Sequence, residues 1–238
     1  MIAVEMPDPP AHDLVLTPKA DYFRGIAPEP QAHEPLRNRI SIGGPLHRRI
    51  DADLTADSEL RRFLQEEAAD WYFYLLHLTC TLHPAAEEAF TEALIQLDLT
   101  QAGNTGAPIA WSMHPDRLED TVEVSRTVSL GPSLKILGIG MNLTGQQQRK
   151  TTKREIFVEA LYELESTPSW GLYRTSSSEL RGLFRFHLVV RAPKHSTVSG
   201  TTSVEAKVQR KRFGVIPYNA NAADAPLNLN FNLGSPAR

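Results

Sequence analysis

Three residues near the middle of the chain, His77, Cys80 and His83, have the side chains that nucleophilic or metal chemistry uses. Their spacing argues against both. The stretch 71–84, WYFYLLHLTCTLHP, reads as a strand, and alternate residues of a strand point to opposite faces. Cys80 falls on the even face and both histidines on the odd face. A thiol on an apolar face has no neighbour that would ionise it. His77 and His83 share a face, but six strand residues at roughly 3.3 Å each hold them about 20 Å apart, too far for one metal ion. The other histidines, at 12, 33, 47, 114, 187 and 195, show no HxH, HxxxH or HExxH spacing. No metal is expected from these spacings.

Other catalytic signatures fail in similar ways. Ser129 and the run 176–178 lack the glycines of a nucleophile elbow. Gly138 and Gly140 lack the third glycine of a dinucleotide loop. Gly43-Gly44-Pro45 is too short for a phosphate loop, and its proline removes a donor. The paired carboxylates, Glu66-Glu67 and Glu87-Glu88, are adjacent and point apart. No cofactor is indicated. An enzyme would have to assemble its site from loops 101–108, 114–120 and 145–154, with His114, Asp116, Arg117 and Asp120 as its groups.

The basic residues form the most suggestive set. Arg149, Lys150, Lys153 and Arg154 lie in the most polar stretch of the chain. Arg185, His187 and Arg191 share one face of a strand. Lys207, Arg210, Lys211 and Arg212 close the last long strand. Residues 121–238 carry 16 Lys and Arg against 8 Asp and Glu, net +8; residues 1–120 carry 9 against 20, net −11; together they make the overall −3. Such asymmetry suits attraction between halves or subunits, or a basic surface for an acidic partner. Aromatic residues are not interleaved with the cations, since Phe184 and Phe186 face away from Arg185. Nucleic acid is therefore disfavoured, and a protein partner, self-association or an anionic membrane remains.

These residues need a scaffold. The chain has 238 residues, 41% of them hydrophobic and 22% charged, as in an ordinary globular protein. One cysteine excludes an intramolecular disulfide and suits a reducing, cytoplasmic setting. No apolar run reaches about 18 residues, and the first residues do not resemble an export signal.

Period-2 alternation dominates. It predicts strands near 40–42, 71–84, 93–99, 109–113, 121–130 (resumed at 134–144 after a break or bulge at Gly131-Pro132), 170–175, 182–192 and 202–209, with 154–166 as a ninth. The 154–166 stretch fits a helix almost as well. Residues 167–193 read as an antiparallel hairpin turned by SSSELRG, and 93–99 as the partner of 71–84. One helix lies within 51–70, capped by Thr55, Asp57 or Ser58 and striped by Leu60, Phe63 and Leu64. The expectation is a mainly β protein of about eight or nine strands with one or two short helices, an antiparallel β-sandwich or a strongly curved sheet; α+β is the other class open to it. Residues 1–37 read as a Pro-rich leader that forms no central strand, 38–217 as the single β domain, and 218–238 as a tail.

The function expected from this is soluble, non-enzymatic binding or assembly through a sheet face or edge, with the basic surface meeting an acidic partner. The alternatives are a membrane-active protein that inserts an amphipathic hairpin at 122–166, and the loop-assembled enzyme.

Overall fold

The structure, a computed structural model, describes residues 6–20, 36–54, 57–102, 106–120, 155–194, 196–212, 216–223 and 227–233. Among these residues run β1 (Ala11–Ala20), β2 (Leu36–Ile50), a 3-10 turn (Ala52–Leu54), α1 (Ser58–Glu67), β3 (Trp71–Leu82), β4 (Glu88–Ala102), β5 (Ile109–His114), β6 (Arg117–Glu119), β7 (Ile156–Leu161), β8 (Ser169–Tyr173), β9 (Gly182–Pro193), β10 (Thr197–Arg212), β11 (Ile216–Ala223) and β12 (Leu227–Asn232). Every pairing between them is antiparallel, in the order β5-β9-β3-β2-β1-β11-β10-β4-β8-β7-β6, with β12 beside β10. The mainly β, antiparallel sandwich architecture is as the alternation implied.

The ribbon folds so that β5, β9, β3 and β2 face β10, β4, β8 and β7. Even-numbered residues of β3 and β9 (Tyr74, Leu76, Leu78, Cys80, Leu82; Phe186, Leu188, Val190) meet Ile95, Leu97, Leu99, Trp170, Leu172, Val204 and Val208 in one core. Fully burying a large aliphatic or aromatic side chain contributes roughly 1.5–3 kcal/mol, so this interlayer face dominates stability.

Both seams are closed. On one side β1 pairs with β2 through Ala11 to Leu16 and with β11 through Thr17 to Ala20. On the other, Leu164 N–H donates to Ala110 O (2.8 Å), Ala110 N–H to Glu165 O (2.9 Å) and Leu99 N–H to Ser166 O (2.8 Å). Residues 164–166 therefore tie β5 to β4. Such closure satisfies strand edges that would otherwise recruit another chain.

A second, smaller core lies on the outer face of β3 and β9. Asp57 caps α1, its Oδ1 accepting from Glu59 N–H (3.0 Å) and Leu60 N–H (3.2 Å). Leu60 and Leu64 then sit on Ile50, Phe73, Leu75 and Val189, with Phe63 packed against Phe73 and Trp111. This is why the first half of β3 is apolar on both faces: it lies between the sandwich core and the helix.

Several expectations are corrected. The 167–193 stretch is not a hairpin: β8 pairs with β4 and β7, and β9 with β3 and β5, so the two strands lie in opposite layers. β4 likewise pairs with β10 and β8, not with β3. Alternation marks which face of a strand is apolar but not whether its neighbour lies beside it or across the core. The strand expected at 40–42 is longer, Leu36–Ile50, and Gly43-Gly44-Pro45 is an irregularity inside it. β1 runs through the proline-rich leader and is interior to the strand order, with Leu14 and Leu16 buried. β11 and β12 run through the tail, joined to β10 by backbone pairing that needs no apolar pattern. The 154–166 stretch is a strand, as favoured, but ends at Leu161, where Tyr162 and Leu164 take positive φ (61° and 67°). The strands expected at 121–130 and 134–144 lie outside the described residues.

Candidate anion-receiving face of the first layer

Strand register brings three histidines into one row. His77 on β3 is directly opposed to His187 on β9, and His187 to His114 on β5. All three point away from the sandwich core. The His77 and His187 rings stack with centroids 4.6 Å apart, and His114 lies 6.3 Å from His187. Residues 6–10, MPDPP, lie against this row. Asp8 receives a two-point contact from Arg185, Nε to Oδ1 (2.9 Å) and Nη2 to Oδ2 (2.6 Å). His77 Nε2 stands 3.3 Å from the same Oδ1.

The glycines of β2 make room for this segment. A Cβ on Gly43 would lie 2.4 Å from Thr79 Oγ1 and 2.9 Å from Pro9 O. A Cβ on Gly44 would lie 2.7 Å from His77 O and 3.2 Å from Pro9 Cγ. Pro9 is buried there, and Met6 reaches the smaller core. Gly44 also has φ +86°, a conformation that glycine adopts without steric cost.

The electrostatics follow from burial. His187 is 7% exposed. Burial pushes its pKa down to about 3, aided by His77, His114 and Arg185 and opposed by Asp8. Burial also lowers His77 against the pull of Asp8, and His114 against that of Asp116. The Arg185 guanidinium holds the Asp8 carboxyl below its usual range, and Asp8 in turn raises Arg185. The row is thus a neutral, polar floor beside one fixed cation. Among the described residues no group of three or more His, Cys, Asp or Glu is arranged to hold a metal ion. What the arrangement can do is receive a carboxylate, as it receives Asp8.

The residues singled out from sequence are distributed unevenly. Arg185, His187 and Arg191 share this outer face. His187, expected as part of the basic surface, is instead buried, because β3, β5 and residues 6–10 surround it. Arg191 lies between the rings of Trp71 (4.4 Å) and Trp111 (4.7 Å). Lys207 lies on the outer face of the other layer, paired with Glu92. Arg210, Lys211 and Arg212 end β10 opposite β11, and nothing is described of their side chains. Arg149, Lys150, Lys153 and Arg154 lie outside the described residues. The groups of the loop-assembled enzyme take separate partners: His114 joins the histidine row, Arg117 pairs with Glu119, and Asp120 accepts from Ser177 and Ser178.

Asp8, Pro9, Gly43, Gly44 and His77 were not marked as a site by sequence. Parity places His77 and His187 on odd faces, but only cross-strand register makes them neighbours. Nothing in MPDPP foretells where it docks. The chain matches no protein-family model, and no curated protein matches it.

Proposed function

We propose that this chain is a non-enzymatic binding and assembly protein that meets an acidic protein partner, or further copies of itself, through a sheet face and its basic residues. The observation that carries this reading is the Arg185–Asp8 contact, in which a guanidinium on the outer face of β9 takes a carboxylate by two bonds. Two-point guanidinium–carboxylate geometry is the usual way proteins recognise acidic groups. Closure of both seams favours a face over an edge as the contact.

A second feature adds to it. Asp120 N–H donates to Glu155 O (3.0 Å), so the two described residues that flank 121–154 lie side by side. Those residues carry six Lys and Arg (126, 135, 149, 150, 153, 154) against one acid, Glu123. Their charge suits an acidic partner. The single cysteine suits a reducing, cytoplasmic setting. No described helix is long and apolar enough to cross a membrane. The membrane-hairpin reading of 122–166 requires β7 to leave its layer, which weighs against it, because Phe157 and Val158 of β7 belong to the core.

Size exclusion with light scattering, and capture of partners from the native source, test the reading. The expected result is a self-associated species or a retained acidic protein. Both should be lost when Arg149, Lys150, Lys153 and Arg154 are reversed to Glu together. A strict monomer that retains nothing at physiological salt would sink it.

A further inference from the structure

The contact between residues 6–10 and the outer face has the form of a peptide in a receptor. Its floor is Gly43 and Gly44, where the missing Cβ atoms admit Pro9. Its polar end is Arg185 with His77, which hold the Asp8 carboxylate. The histidine floor is not saturated: Nδ1 of His77 and Nδ1 of His187, both in side chains more than nine-tenths buried, have no hydrogen-bond partner. A buried polar atom without a partner is destabilising, so residues 6–10 use this face incompletely.

The strap is also weakly held. The Asp8 and Arg185 side chains are 45% and 32% exposed. Ion pairs in that setting are largely screened by water and contribute little. Ordering the backbone opposes docking, though less so here because of prolines 7, 9 and 10. Burying Pro9 and part of Met6 cannot leave a large surplus. β1 begins at Ala11 and is separately zipped to β2 and β11, so residues 6–10 can lift without unpairing a strand.

We propose that the floor made by Gly43, Gly44, His77 and Arg185 is a recognition site for an extended Asp-Pro segment of an acidic partner protein, and that the chain's own residues 6–10 occupy it in competition. The partner is identified by the chemistry of the occupant: a carboxylate for Arg185, followed by a proline ring that lies on two glycines and donates no N–H. This rests on the binding reading above and names the partner's motif.

The test uses a fluorescently labelled peptide, MPDPPAH, and the full-length chain, read by anisotropy. The Asp8→Ala variant, freed of its internal competitor, should bind the peptide saturably and about threefold more tightly than the unaltered chain. Replacing the peptide's Asp by Asn, or introducing Arg185→Glu in the protein, should remove the binding. Asp8→Asn serves as the second opened variant if Asp8→Ala does not keep a cooperative thermal transition. Three results would each overturn the proposal: no saturable binding by a folded opened variant, equal binding of the Asp and Asn peptides, or equal affinity of the opened and unaltered chains. Residues 149–154 take no part in this assay, so its failure leaves the association test of the general reading intact.

Discussion

His77 and His187 stack at 4.6 Å from directly opposed positions on β3 and β9, and neither has a partner for Nδ1. With His114 beyond them they form a row that burial keeps neutral. The unfolded chain, with histidines near 6.5, binds protons that the folded chain does not. The stability these groups contribute is therefore present above about pH 6.5 and is lost as pH falls below it. A histidine that stays neutral in the fold makes the protein about 2 kcal/mol less stable at pH 5.0 than at pH 7.5. Arg185 opposes charging of the row, while Asp8 and Asp116 ease it at His77 and His114. Asp8 itself, with a lowered pKa, contributes stability that is fully present above its unfolded value near 3.8 and is lost only as pH falls below it, so it leaves the comparison of pH 5.0 with pH 7.5 unaffected. Urea unfolding should show this loss, and His187→Leu should lessen it. Equal stability at the two pH values would contradict the buried row.

Trp170 is fully buried, packs against Phe186 across the layers with ring centroids 4.8 Å apart and planes tilted by 38°, and donates Nε1–H to Pro115 O (3.1 Å). Trp170→Phe keeps most of the packing but strands that carbonyl, and should cost about 1–3 kcal/mol. Trp170→Ala should cost about 3–5 kcal/mol. Denaturant midpoints of the two variants check the order, and a harmless Trp170→Ala would refute the interlayer contact.

Gly44 and Gly182 separate backbone strain from crowding. Both have positive φ, +86° and +97°, but a Cβ at Gly182 meets nothing within 4 Å, whereas one at Gly44 meets His77 O at 2.7 Å. Gly182→Ala should cost about 1 kcal/mol, for conformation alone. Gly44→Ala should cost more, about 1–3 kcal/mol, and weaken the docking of Pro9. Thermal melts compare them directly; equal losses would mean that the neighbouring carbonyl gives way freely.

Cys80 is fully buried in the sandwich core, and burial pushes its thiol up to about 12. The native protein should be inert to a chromogenic disulfide reagent at pH 8 and should react with one equivalent on unfolding. Fast reaction of the folded protein would place Cys80 elsewhere than the core.

Much of the fold was legible because alternation is a property of single strands. The inward residues of β3, β9 and β10, and the Asp57 cap of α1 with its Leu60 and Leu64 stripe, follow from side-chain direction alone. The candidate site was much less so. Arg185 and His187 could be assigned to one face, but Asp8, the carboxylate that completes the site, lies 177 residues from Arg185 in a segment with no periodicity. The strands of the leader and tail were missed for a related reason. Leu14 and Leu16 of β1 enter the core from among prolines and polar residues, too few to make an alternating pattern, and β11 and β12 pair with β10 along main-chain groups that any sequence has.

By itself, the sequence determined that this chain forms antiparallel strands around an apolar interior, which residues face that interior, and that a helix striped by Leu60, Phe63 and Leu64 lies within 51–70, with Thr55, Asp57 and Ser58 all open as its cap. Those outcomes depend on the pleat of a strand and the pitch of a helix, both local. Only the tertiary structure decided that Trp170 faces Phe186 across the core instead of pairing along a hairpin, that β1 joins the two layers, and that three histidines and an N-terminal aspartate meet on one outer face. Those outcomes depend on strand order and register, which are set by how whole faces fit against one another.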